Sequence, residues 1–76
     1  MDYEQLTAAD KAQIVRTSLL EVETEHYTLT LRLAAYQDAR DVEEEAKREM
    51  IAQTRNRLAS LEAAIAVYRR ELEDLA

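Results

Sequence analysis

The 76-residue chain has no glycine, proline, cysteine, tryptophan or phenylalanine, and each absence removes a class of function. Without cysteine there is no disulfide framework, and a single histidine, His26, leaves no Cys/His zinc site to staple a small fold. Without glycine there is neither a phosphate-cradling loop nor a nucleophile elbow, and with proline missing too, most tight turns are excluded. No apolar run approaches the roughly 20 residues that a membrane span needs. The opening Met1-Asp2-Tyr3-Glu4 carries neither the basic region nor the apolar stretch of a signal peptide. A cytoplasmic setting is the expectation, and a virion component is compatible with the same features.

What the chain does contain is aliphatic and charged: 47% hydrophobic residues, 34% charged residues and a net charge of −6. Phosphate backbones repel such a chain, so no nucleic-acid partner is expected, and no membrane partner either. The basic residues of the second half (Lys47, Arg48, Arg55, Arg57, Arg69, Arg70) are interleaved with acids at helical spacing and read as a solvated face. Seventy-six residues make one domain, and a domain of that size buries only about 60% of its unfolded surface. Its core is marginal unless it is shared between chains, so self-association is the expected staple.

Two heptad-like seams organise the chain. Thr7-Ala8-Ala9-Asp10 has the form of a capping box. From there Ala8, Ala12, Val15, Leu19, Val22, His26, Leu29, Leu33 and Tyr36 recur in steps of four and three, an a/d seam interrupted by one polar residue. The alternation Thr28-Leu29-Thr30-Leu31-Arg32-Leu33 has strand character, but a lone strand has no partner here and the longer four-three pattern prevails. A second seam runs Ile51, Thr54, Leu58, Leu61, Ile65, Tyr68, Leu72, Leu75. Between them, residues 37–49 hold only Ala39, Val42 and Ala46 as apolar side chains, and Asp41-Val42-Glu43-Glu44 repeats the capping-box form.

The expected fold is therefore all-α: helix 1 over about 8–37, a connection at about 38–41, and helix 2 over about 42–75, folded as an antiparallel hairpin that dimerises into a four-helix bundle. The alternative is one long, nearly continuous helix. Folding back near Arg40 pairs Leu29 with Ile51, His26 with Thr54, Val22 with Leu58, Leu19 with Leu61, Val15 with Ile65, Ala12 with Tyr68 and Ala8 with Leu72. This matching puts the two polar seam residues in one layer and the alanines opposite bulky partners. The expected core is Val15, Leu19, Val22, His26, Leu29, Leu33, Ile51, Thr54, Leu58, Leu61, Ile65, Tyr68 and Leu72.

Candidate chemistry is sparse. Glu23-Thr24-Glu25-His26 contains the Glu-x-x-His spacing, which puts a carboxylate and an imidazole on one helix face. That string resembles the motif of ferritin-like di-iron proteins, and the resemblance implies a metal-binding helical assembly with Glu23 and His26 as ligands. The level expected opposite His26 holds Thr54, Gln53, Arg55 and Arg57, with no glutamate to bridge metals. A structural histidine paired with Thr54 or with a glutamate is the expected role, and no cofactor or resident metal is expected. Ser18 and Ser60 lack a second histidine and a loop for an oxyanion hole, so no catalytic residue is assigned and the chain is not expected to be an enzyme.

The more informative feature is a second stripe on helix 1. Leu20, Tyr27, Leu31 and Ala34, with Thr24 between them, lie about 140° around the helix from the main seam. A simple hairpin needs one apolar stripe per helix. The expectation is an assembly, adaptor, scaffold or structural module whose partner, itself as a homo-oligomer or another protein, covers Leu20, Thr24, Tyr27, Leu31 and Ala34.

Overall fold

The computed structural model describes residues 3–76. A short 3-10 turn (Tyr3–Gln5) leads into helix α1 (Ala8–Asp38); residues 39–43 connect it to helix α2 (Glu44–Leu75). The two helices pack against each other along their length in a body of 54 × 18 × 18 Å. One continuous helix over 8–75 would reach about 100 Å at 1.5 Å per residue. The chain is a helical hairpin, and the single-rod alternative is excluded.

Helix α1 begins where its capping box predicts. The Asp10 N–H donates to the Thr7 hydroxyl at 3.0 Å, and the Thr7 N–H donates to the Asp10 carboxylate at 3.2 Å. Two of the four orphan amides of the first turn are thereby satisfied around an extended N-cap. Thr7→Ala is expected to cost about 1 kcal/mol and to lower the melting temperature by several degrees, with Thr7→Ser restoring it. Thermal melts by circular dichroism check this.

The connection differs from expectation. Helix α1 runs one residue further than 37, and α2 starts two residues later than 42, with Glu43 at its N-cap and no side-chain cap. The second capping box does not form, because residues 40–43 are used to cross between helix axes some 8–10 Å apart. Ala39 (φ −63°, ψ 130°) and Glu43 (φ −55°, ψ 138°) are extended, and no described residue has positive φ. The chain turns without glycine by using five residues. Lys47 spans the turn, its ammonium donating to the Ala39 carbonyl at 3.1 Å.

The register is also corrected. Across the helices His26 meets Glu62, Glu25 meets Arg57 and Glu23 meets Arg69. His26 therefore lies well past Thr54, displaced by about one heptad from the matching drawn from polar layers. A one-heptad shift sets Leu33 toward Thr54, Leu29 toward Leu58, His26 toward Leu61, Val22 toward Ile65 and Val15 toward Leu72. Its physical advantage lies at the ends. The expected register would have turned Leu33 and Tyr36 toward the charged level of Lys47 and Glu44, whereas a one-heptad shift brings every seam residue from Ala12 to Tyr36 level with a seam position of α2. Apolar coverage outweighs the pairing of two polar side chains.

The core is narrow. Ala12, Thr54, Leu58 and Leu61 are buried, with Leu61 at 2% exposure. Val15, Leu19, Val22, His26, Leu29, Leu33, Ile51, Ile65, Tyr68 and Leu72 are half-buried. Thr54 is accommodated because its hydroxyl donates to the Met50 carbonyl at 2.8 Å, so its burial leaves no donor unpaired.

Candidate functional site: the outer face of helix α1

Leu20, Thr24, Tyr27, Leu31 and Ala34 follow one another in steps of four, three, four and three, a second a/d seam on the same helix. Packing against α2 leaves this seam uncovered. Leu20 and Tyr27 are each 66% exposed and Leu31 is 55% exposed, with Thr24 and Ala34 exposed beside them. Helical geometry puts no charged residue on the strip between Arg16 and Asp38; Glu21 and Glu23 flank it.

The threonines of α1 make this face coverable. The hydroxyls of Thr17, Thr24, Thr28 and Thr30 donate to the carbonyls of Gln13, Leu20, Thr24 and His26 respectively, at 3.0, 2.7, 3.0 and 2.8 Å. Each hydroxyl proton is already engaged within the helix. An apolar partner laid over the strip would strand no donor, which removes the usual penalty of 1–3 kcal/mol (roughly) for burying a polar group.

Beside the strip lies an open groove of about 400 Å³ lined by Glu23, His26, Glu62, Ile65, Ala66 and Arg69. The Arg69 guanidinium donates to the Glu23 carboxylate at 3.0 Å, and His26 Nε2 stands 3.2 Å from Glu62 Oε1. The Glu-x-x-His spacing does bring Glu23 and His26 to one groove, but each has its own partner from α2. The glutamate that pairs with His26 is Glu62, and Thr54 takes no part. Among the described residues no three His, Asp or Glu side chains form a group able to hold a metal ion. With an arginine on Glu23 and no bridging carboxylate, the residues present do not fit a di-iron centre.

His26 occupies a seam position while its ring reaches outward to an exposed glutamate. His26→Leu is expected to raise the melting temperature by a few degrees, because leucine fills the layer and Glu62 is readily resolvated. A large loss of helicity would show instead that the His26–Glu62 pair is essential.

The opposite flank is held by Glu25 and Arg57 in a two-point pair, Nε to Oε2 at 2.7 Å and Nη2 to Oε1 at 2.9 Å. These hydrogen bonds, with the guanidinium charge, hold the Glu25 carboxyl below its ordinary value of 4.5. The folded state thus binds the proton less readily than the unfolded one. Stability from this pair is present above the unfolded value and lost as pH falls through the folded one. Arg57→Ala is expected to reduce the drop in melting temperature between pH 5 and pH 2 (on the order of these bounds, set by ordinary carboxylate values). Identical acid dependence in the two proteins would remove the pair from the acid response.

At the far end, Tyr3, Leu6, Lys11, Ile14, Val15 and Glu71 line a second groove of about 480 Å³. Ile14 lies on neither seam, so periodicity alone passes over it. The ion pairs were missed for a different reason: Arg57 and Arg69 read as solvated charges until the register places them beside Glu25 and Glu23. No helix of the described residues is long and apolar enough to cross a membrane. Compared with protein-family models, curated proteins and solved structures, the chain matches none.

Proposed function

We propose that this chain is a non-enzymatic protein–protein interaction module, a small structural, adaptor or scaffold subunit working through the outer face of α1. The observation that carries the reading is the second a/d seam, with Leu20, Tyr27 and Leu31 each more than half exposed. Large aliphatic and aromatic side chains at knob positions, with their interleaved threonine hydroxyls already bonded, suit another helix. In extracts of the cells that make it, the chain should travel in a species larger than its own 8.8 kDa. The double variant Leu20→Gln, Leu31→Gln should return it to chain mass while remaining helical. Unchanged migration of the variant would sink the reading.

A metal-binding, ferritin-like assembly is the second reading: Glu23 and His26 share one groove, and a second chain would have to supply the carboxylates that one chain does not bring together. It would require Arg69 to leave Glu23. Elemental analysis of the purified protein separates the two readings, because stoichiometric iron supports only the second.

A further inference from the structure

Resting on the reading of the α1 outer face as a docking surface, we propose that its occupant is a second copy of this chain. The two α1 helices run antiparallel about a two-fold axis beside residues 25 and 26. The layers carry the register. In antiparallel helices an a position of one chain meets a d position of the other, so Leu20 of each copy meets Leu31 of the second. In the next layer Tyr27 meets Thr24, the largest side chain of the strip over a small one, and Ala34 meets Thr17 at the ends. The two-fold repeats each contact, and every member of the stripe is used.

Charge selects the direction. The whole net charge of −6 belongs to residues 1–26 and 61–76; residues 27–60 hold six basic and six acidic side chains. Antiparallel docking lays the acidic half of one hairpin beside the neutral half of the other. Parallel docking would lay two acidic halves side by side. In the antiparallel register, Glu21 comes level with Thr30 and Glu23 with Thr28 of the second copy, so no glutamate faces a glutamate. The area is sufficient: three side chains exposed by 66, 66 and 55%, with their smaller neighbours, supply on the order of 600 Å² per copy, about 1,200 Å² in all, the lower end of stable interfaces.

The test places a photo-crosslinking p-benzoylphenylalanine at position 27, where the exposed Tyr27 makes the change tolerable to the hairpin. Irradiation in the cells that make the protein is followed by mass spectrometry of the adduct. The expected product has twice the mass of the chain and is joined near Thr24 of the second copy. An adduct to another sequence would overturn the second copy as occupant while leaving the docking reading standing. No adduct at all would overturn both. In purified protein, spin labels on Asp38→Cys are expected about 40 Å apart between copies, from 1.5 Å per residue on either side of the axis. A separation of about 15 Å would overturn the antiparallel arrangement.

Discussion

Leu61→Ala is expected to lower the melting temperature by about 8–40 °C. Leu61 is the most deeply buried side chain of the described residues, at 2% exposure, in a core where only Ala12, Thr54 and Leu58 are buried beside it. Removing a buried leucine costs about 2–5 kcal/mol, as lost transfer energy together with a residual cavity. The stability of a 76-residue chain is about 4–11 kcal/mol, and a hairpin with so few buried residues belongs at the low end of that range. One truncation thus removes a large share of it, and each kcal/mol corresponds to about 4–8 °C in a domain of this size. The control is Ala63→Ser on the exposed side of the same helix, which should shift the melt by no more than a few degrees. Equal melts for the two variants would mean that Leu61 is not the centre of the core.

Leu31→Glu addresses assembly with the hairpin core left alone, since Leu29 and Leu33 face α2 while Leu31 is 55% exposed. Burying a leucine is worth about 1.5–3 kcal/mol, and a two-fold contact counts it twice. The variant should therefore weaken association by on the order of 10²–10⁴-fold, before any penalty for the buried carboxylate. Sedimentation should show it shifted to chain mass, with a lower melting temperature because the isolated hairpin is marginal. Asn56→Glu, on the exposed face of α2, adds the same charge and should change neither. Wild-type mass and melting in Leu31→Glu would show that the strip is not an interface.

Much of the architecture was legible because a hairpin is built from periodicity. Thr7 and Asp10 announced the start of α1, and the a/d seams named all four buried side chains, while half-buried residues beside the seams, such as Glu23, Glu25 and Met50, were not among them. What periodicity underdetermines is phase. A heptad seam matches its partner equally well after a shift of seven, so the choice of layers falls to the ends, where Leu33, Tyr36 and Leu75 must be covered. Weighting the polar pair His26 and Thr54 above those three apolar residues chose the wrong phase. The partners of Glu23, His26 and Glu25 followed it: they lie twelve, eight and two residues further along α2 than that phase would put them, about a heptad on average. The false start at Asp41 has a local cause: a capping-box string says that a helix can begin, and the span between two axes decides where it does.

The connection at 39–43 also sets the order in which the chain can close. Loop-closure entropy rises with the logarithm of the separation, so contacts beside the turn, such as Lys47 with Ala39, are the least costly to make. Zipping from there engages Leu33, Thr54 and Leu58 early, and Ala12 and Leu72 last. Substitutions near the turn then act on the folding rate, and those near the termini act on the unfolding rate. The charge distribution follows the same axis, since the balanced residues 27–60 meet first and the acidic ends approach only afterwards. Self-repulsion between the acidic ends is therefore expected to speed opening more than it slows closing, and added salt, by screening it, is expected to prolong the lifetime of the native state while leaving its rate of formation nearly unchanged.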